Sequence, residues 1–575
     1  MKIIEKKYDS IESYFLENMG KKNLKEVNDM FQKSYDDKYV IKDMGKAVSL
    51  INKHKTDLIY IFGDYDADGI TATSILVLGL KHLGFNVKYL IPKRHTEGFG
   101  INIGMVNRAI SNNAKLIITC DNGIAQVKAI SYAKKKGLDV LITDHHQPLS
   151  SLPDADVIID PNAIEGQCEF TGYCGAGIAY KTIKALIKTY PANSGNKILL
   201  DKCLSLAAIG TIADVMELKE ENYVIVRNGL KKLQNPHSTT LPLYSLMRLL
   251  EINNISAESI SFKLAPVINA QSRLRDDGAM DVVKFLIDEK RVYEAIKKDC
   301  DDFISSNNIR KDLGNRYFNI AEDYISKNCL YGDVPLVVNL EDCPEGLIGI
   351  IAGKLKEKYN VPAIVLTSSN EDEDIYKASG RSTDNYDMYF ILKDADAISV
   401  HDIHRSVFIK YGGHKGACGF SILKKDFDYF SNLIHSLTPA DFEPDVKEEI
   451  IYNFSIPASS MKRTATELER FEPWGNGNPM PIFKVTNFNV IPTSGKYITK
   501  FATTIKASGL YGDAIGFDMP DFPCDLKNAN FIGEISNNYF RGNSTPQVRF
   551  SYFEEIASKK KTTPLASLLT KMANS

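Results

Sequence analysis

From residue 57 onward, short apolar runs alternate with amphipathic stretches. The runs Leu58–Phe62, Val87–Ile91, Leu116–Thr119, Val140–Thr143 and Val157–Ile159 are apolar at consecutive rather than alternate positions. That pattern predicts strands buried on both faces. Helical spacing fills most of the gaps, over Thr71–Leu83, Gly104–Asn112 and Ala125–Lys136, with Gly84 and Gly137 where C-caps belong. Strands and helices in this alternation predict βαβ units around a parallel sheet.

Residues 175–330 read as mainly helical. Ile178, Thr182 and Leu186 share one face, while Lys181, Lys184 and Lys188 fall on others. A second α/β pattern then begins with a strand over Val334–Leu340, a helix over Ile348–Tyr359 and a strand over Pro362–Thr367. A glycine cluster follows at Tyr411–Gly419. Beyond about residue 446 the texture is β, broken by turn-forming segments such as Gly475-Asn476-Gly477-Asn478-Pro479. Short strands at that spacing predict a small barrel or sandwich. The expected organisation is a helical N-terminal segment (1–55), a parallel-sheet α/β domain (56–235), a helical connector (236–330), a smaller α/β domain (331–440), an all-β domain (446–556) and a basic tail (557–575).

Composition narrows the class. Of 575 residues, 44% are apolar and 25% charged, which is ordinary for a globular protein with several cores. Lys and Arg total 70 against 72 for Asp and Glu, a formal charge of −2. That excludes a polycation, and on average charge alone it argues against nucleic acid as a partner. The start, MKIIEKKYDS, has no apolar signal core, and no apolar run approaches the roughly 18 residues of a membrane helix. Nine cysteines without a CxxC pair read as reduced thiols. The expectation is a cytoplasmic protein with no membrane contact.

The chemistry sits at the ends of the apolar runs. Leu58–Phe62 leads into Gly63-Asp64-Tyr65-Asp66-Ala67-Asp68-Gly69, three carboxylates in five residues. Ligands of parallel sheets bind beyond the carboxyl ends of the strands. One aspartate there is ordinarily a helix cap; three together repel unless a cation offsets them. Two further runs end similarly, in Cys120-Asp121-Asn122 and in Asp144-His145-His146. Asp144 is placed to orient one imidazole, leaving a histidine nitrogen for a metal. Asp214 closes an apolar helical run and, taken alone, reads as a helix C-terminal residue. Mixed Asp and His donors suit Mn²⁺, with Mg²⁺ as the alternative. Asp64, Asp66, Asp68, Asp121, His145, His146 and Asp214 exceed one ion's needs, so two ions about 3.5–4 Å apart are expected.

These motifs resemble the DHH phosphoesterase superfamily. Asp144-His145-His146 matches its name-giving motif, and Asp64 to Gly69, Asp121 and Asp214 match the other three in order. Further segments are similar to the RecJ family of single-strand-specific 5′→3′ DNA exonucleases: Arg94-His95-Thr96-Glu97-Gly98-Phe99-Gly100, Cys174-Gly175-Ala176-Gly177, Ser379-Gly380-Arg381-Ser382, and Phe471 to Pro479. Gly412-Gly413-His414-Lys415-Gly416-Ala417-Cys418-Gly419 resembles the signature of the associated DHHA1 domain. The resemblance spans residues 37–555. It implies a DHH catalytic domain, a DHHA1 domain and a C-terminal OB-like domain. It also implies Asp64, Asp66, Asp68, Asp121, His145 and Asp214 as metal ligands, with Asp144, His146 and His414 as catalytic groups. Arg94, Arg273, Ser379, Arg381, Gly412, Gly413 and His414 would hold the strand and its 5′-phosphate. Tyr497, Phe501, Tyr539, Phe540 and Arg541 are the candidates for tracking the strand on the OB-like domain. Implied partners are single-stranded DNA with a 5′ end, and a single-strand-binding protein or helicase. The implied state is a monomer acting in DNA repair and recombination.

The chain departs from the family at two places. Phe62 stands where some members carry a histidine ligand. In Pro266-Val267-Ile268-Asn269-Ala270-Gln271-Ser272-Arg273, Val267 replaces the first arginine of the family pattern and Gln271-Ser272 replaces Ala-Gly, while Arg273 is kept. Two other readings compete: a DHH phosphodiesterase acting on short oligoribonucleotides or cyclic dinucleotides, and an inactive Cdc45-like scaffold. The OB-like region argues for a polymeric substrate, and the intact acids and histidines argue for activity. Two bound divalent ions would turn the formal −2 into about +2, placed where phosphate binds.

Overall fold

The computed structural model describes residues 2–148, 151–288, 291–444, 449–491, 495–498, 503–517, 522–523, 526–540 and 543–556. The chain divides into two compact units: residues 24–446 with 475–477, and residues 1–23 with 447–474 and 478–575.

The larger unit opens on a five-stranded, wholly parallel sheet. Its spatial order is Asn86–Leu90, Leu58–Phe62, Ala114–Cys120, Asp139–Thr143, Val157–Ile159. Consecutive apolar residues serve two cores at once. Ile59, Ile61, Leu116, Ile118 and Leu141 face the core shared with helices Ala67–His82, Gly175–Ile187 and Asn196–Ala213. Tyr60, Phe62, Ile117, Val140 and Ile142 face the opposite core, under helices Ile103–Ser111 and Val127–Lys135. A strand covered on both faces has no place for polar residues, which explains the unbroken runs.

Helices connect this sheet to a second one. Gln271, in helix Ala265–Leu274, donates through Nε2 to the carbonyls of Val267 and of Phe303, both at 3.1 Å. Phe303 belongs to the 35-residue helix Tyr293–Lys327 that leads onward. Val267 is buried in the connector core. The second sheet runs Phe408–His414, Ala417–Leu423, Ile375–Arg381, Ala363–Ser368, Leu336–Asn339, antiparallel except for its last pair. Among the described residues no helix is long and apolar enough to cross a membrane.

The smaller unit is mostly β. Seven strands form one sheet in the order Phe454–Pro457, Ile482–Asn489, Asn528–Phe540, Asn543–Glu555, Gly512–Phe517, Thr503–Gly509, Gly495–Ile498. Phe483, Val485, Phe531, Ile535 and Val548 are buried within it.

The architecture read from the sequence holds: a parallel α/β sheet, a smaller α/β sheet joined by helices, and a C-terminal all-β sheet. The purely helical reading of residues 1–55 does not. Lys2–Glu5 is a strand paired in parallel with Glu449–Tyr452, and residues 1–23 group with the C-terminal unit. A four-residue strand becomes stable only when its partner's backbone groups are supplied, and this partner lies more than 400 residues away.

One buried polar network ties residues 34–39 to the helices of the first sheet. Lys181 is 5% exposed; its Nζ donates to Glu221 at 3.0 Å and to the Tyr39 carbonyl at 2.8 Å. Glu221 also accepts from Ser34 and Tyr173. Removing one partner of a buried pair strands the other charge. Lys181→Ala should therefore destabilise the larger unit by about 3–5 kcal/mol, read as a lowered urea midpoint by tryptophan-independent circular dichroism.

Candidate metal centre and phosphate pocket

Parallel strands deliver acids to one edge of the first sheet. Asp64, Asp121, Asp144 and Asp160 each stand just past the carboxyl end of a strand, and all four are buried. Asp66 caps helix Ala67–His82, accepting from the Gly69 N–H at 3.0 Å. The next free N–H, that of Ala67, donates to Asn269 Oδ1 at 2.8 Å. Asp68, 1% exposed, accepts from the Gly175 and Ala176 N–H groups at 2.7 and 2.9 Å. It thus sits on the positive N-terminus of helix Gly175–Ile187. Two glycines make room for this convergence. A Cβ on Gly175 would lie 2.5 Å from Asp121 Cβ, and one on Gly210 would lie 2.4 Å from Asp68 Oδ1.

His145 Nε2 lies 3.0 Å from Asp121 Oδ1, 3.6 Å from Asp214 Oδ2 and 3.9 Å from Asp68 Oδ2. Asp144 turns to the other ring: its Oδ1 is 2.8 Å from His146 Nδ1, and its Oδ2 accepts from the Ile124 N–H at 2.9 Å. Donor atoms within 4.8 Å of one another group as Asp64, Asp66 and Asp121; as Asp68, His145 and Asp214; and as Asp121, His145 and His146. All seven side chains singled out in the sequence therefore meet in one place.

This cluster is electrostatically unbalanced. Burial, reinforced by Asp66, holds the Asp64 carboxyl well above the usual carboxylate range. Burial and then Asp68, Asp66 and Asp64 do the same to Asp121. Asp214 is pushed up to about 8 by burial, Asp68 and Asp66. Burial opposes charge on His146, but its bond to Asp144 and the surrounding acids win and raise it to about 9. Burial lowers His145, so a neutral ring is available as a ligand. Asp64 Oδ1 is buried without a hydrogen-bond partner, and Asp121 Oδ1, although 3.0 Å from His145 Nε2, makes no aligned hydrogen bond. Unpaired buried carboxylate oxygens facing a neutral imidazole are a donor set for divalent cations. Phe62 contributes nothing to it, because its ring packs into the opposite core with Tyr60 at 5.5 Å.

A cluster of arginines adjoins the acids. Arg94 lies over the Tyr65 ring at 4.6 Å. Arg381 Nη1 donates to Ser379 Oγ at 3.1 Å and to the Gly380 carbonyl at 2.8 Å. Arg273 Nη1 donates to the Gly346 carbonyl at 3.0 Å. Burial and then the charges of Arg94, Arg310 and Arg381 pull Arg273 down to about 9. Among the described residues Arg94, Arg273, Arg310 and Arg381 pair with no carboxylate, so the cluster carries a positive charge that an anion would offset. His414 stands exposed at the end of strand Phe408–His414, its Nδ1 accepting from the Gly416 N–H at 3.2 Å. Gly412 and Gly413 are registered opposite Gly419 and Cys418 in that hairpin. In the smaller unit Tyr539 is 37% exposed and donates to Glu469. The side chains of Tyr497 and Phe540, and all of Phe501 and Arg541, lie outside the described residues.

Sequence reasoning missed four contributors. Asp160 follows the fifth strand as Asp121 and Asp144 follow theirs, so the strand-end rule could have found it; burial and then Asp144 push it up to about 8. Asn269 stands in the Pro266–Arg273 segment, which marks it without giving its role, while Arg310 acts across helices and no local pattern marks it. Asp276, which holds the Arg94 turn by accepting from the His95 N–H at 3.1 Å and Thr96 Oγ at 2.9 Å, is equally silent in the sequence.

Comparison with known proteins agrees with this layout. The DHH family N-terminal domain matches residues 58–211, and the DHHA1 domain matches 333–438. These matches define a phosphoesterase of the DHH class. The RecJ OB domain matches residues 453–552. The single-stranded-DNA-specific exonuclease RecJ of Haemophilus influenzae is 30% identical over 530 residues, covering 87% of this chain and 88% of that protein. The chain belongs to the RecJ family. Its fold is shared with Thermus thermophilus RecJ in complex with Mn²⁺, at 24% identity, a TM-score of 0.71, and coverage of 90% of this chain and 72% of that one. An exonuclease RecJ bound to manganese is 26% identical, with a TM-score of 0.58, and matches 71% of this chain and 97% of that one.

Raised carboxyl pKa values make the metal-free fold pH-sensitive. A group whose folded pKa exceeds its unfolded value loses stabilisation as pH climbs between the two, here from about 4 to about 8 for Asp214. Metal binding displaces those protons. Mn²⁺ should therefore raise the melting temperature more at pH 8 than at pH 6, and should release protons measurable by calorimetry in buffers of different ionisation enthalpy.

Proposed function

We propose that this protein is a divalent-metal-dependent exonuclease that degrades single-stranded DNA from its 5′ end and releases 5′-mononucleotides. The observation that carries the reading is the juxtaposition within one unit of a buried carboxylate–histidine cluster and a pocket of unpaired arginines, joined through Tyr65 and Arg94. Divalent ions held by Asp64, Asp66, Asp68, Asp121, His145 and Asp214 would supply Lewis acidity at a phosphodiester.

The chain's own residues do the rest. Arg94, Arg273 and Arg381, with the Ser379 hydroxyl, hold a terminal 5′-phosphate and set the direction of digestion. Arg381 and Ser379 are already bonded to each other, so the pair presents a guanidinium and a hydroxyl together. His146 is oriented by Asp144, whose bond favours the cationic ring. It donates a hydrogen bond to the phosphate oxygen that gains charge as the bond breaks. His414, on its hairpin with Gly412 and Gly413, supplies a second donor. Tyr539 belongs to the surface that tracks the strand. A cytoplasmic monomer working with a single-strand-binding protein or helicase in repair and recombination completes the reading. The match to the RecJ OB domain over residues 453–552 favours long strands over short oligoribonucleotides or cyclic dinucleotides. The retained acids favour activity over a scaffold.

Asp121→Ala and His145→Ala should abolish Mn²⁺-dependent nucleotide release from 5′-phosphorylated single strands; wild-type rates in either would overturn the site. His146→Gln should slow the reaction by about 10²–10³ at unchanged Mn²⁺ affinity. A 5′ label should appear first as mononucleotide, and early release of a 3′ label would reverse the polarity. Long single-stranded DNA should be degraded faster than a five-nucleotide RNA.

A further inference from the structure

Helix Asn196–Ala213 ends on the metal-cluster residue Asp214, and it ends under strain. The Met216 N–H bonds the Thr211 carbonyl at 3.1 Å, and the Val215 N–H bonds the Ile212 carbonyl at 3.1 Å. This is the Schellman pattern, whose residue after the C-cap must be left-handed and is ordinarily glycine. Here that residue is Val215, at φ +54°. A β-branched side chain is among the least tolerant of that region, because its Cβ substituents crowd the backbone. Val215 is 63% exposed, so burial of its side chain does not hold it there.

A distant segment does. Gly475–Gly477 belongs to the same compact unit as the helix. Asn476 Nδ2 donates to the Val215 carbonyl at 2.7 Å, and the Asn476 carbonyl accepts from the Leu218 N–H at 2.7 Å. Two bonds from one residue therefore bracket the turn 215–218. Close packing reinforces them: a Cβ on Gly477 would lie 3.0 Å from Glu217 Cβ, and one on Gly475 would lie 2.9 Å from Leu218 Cδ1. Strained left-handed residues persist where their surroundings over-determine them. The turn sets where Asp214 Oδ2 stands, 3.6 Å from His145 Nε2.

We infer that Asn476 is a positioning residue for the metal centre: it clamps the strained Val215 turn and so holds Asp214 in the donor set with Asp68 and His145. The inference rests on Asp214 being a ligand. Its signature is that the clamp matters only while residue 215 resists the left-handed conformation.

The test uses full-length protein and Mn²⁺ alone, with binding followed by electron paramagnetic resonance of the free ion. Asp214→Asn measures the ligand's own contribution. Asn476→Ala should weaken about tenfold the Mn²⁺ site that Asp214 serves, the scale of losing an outer partner of a ligand, with an unchanged circular dichroism spectrum. Val215→Gly, which accepts φ +54° without strain, should leave binding within about twofold. Adding Val215→Gly to Asn476→Ala should restore most of the lost affinity. Unaltered binding in Asp214→Asn would remove the underlying ligand assignment. Weakening in Asp214→Asn but none in Asn476→Ala would overturn the clamp alone. Equal weakness in Asn476→Ala with and without Val215→Gly would overturn the strain mechanism.

Discussion

Several carboxylates are forced together out of water, and the catalytic unit is organised around that cost. Asp64, Asp68 and Asp121 are each no more than 2% exposed, and Asp214 leans on the same cluster. Like charges at such distances in a poorly screened interior disfavour ionisation strongly. The fold offsets this partly with its own groups. Two backbone N–H groups and a helix N-terminus face Asp68, and His145 stands among Asp121, Asp68 and Asp214. Glycines at 175 and 210 let the helices come close enough to do so. The remaining imbalance is what selects for divalent cations.

Beside this acid excess lies the opposite one. Arg94, Arg273, Arg310 and Arg381 come from a loop of the first sheet, a connector helix, the long helix and the second sheet. Their mutual repulsion is left unrelieved by any carboxylate pair among the described residues. The near-zero formal charge of the chain conceals this segregation. An average of −2 is compatible with two strongly polarised half-sites, so net charge is a poor guide to whether such a protein handles nucleic acid.

The acids were legible because their position follows a local rule. A run apolar at every position is a doubly covered strand, and the residue just past it stands at the ligand-binding edge of a parallel sheet. Asp64, Asp121 and the Asp144-His145-His146 triplet all obey it. The division of labour between the two histidines was also foreshadowed, since Asp144 can bond only one ring while the other turns to the acids. The Gly412–Gly413 segment reads in the sequence only as a glycine cluster; the structure pairs it in a hairpin, because backbone groups prefer a partner strand when one is adjacent.

The strands of the first sheet, the acids in the three strand-end motifs and the helical periodicities were legible in the sequence, because each depends on neighbours within a few residues. Tertiary structure decided the remainder. Asn269 caps a helix some 200 positions earlier, Lys2–Glu5 finds its partner strand at Glu449–Tyr452, and Asn476 reaches the Val215 turn. Local sequence flags the segments holding Asn269 and Asn476 but says nothing of these partners. Their roles arise only when folding brings an unsatisfied backbone group within about 3 Å of a side chain or strand that can satisfy it.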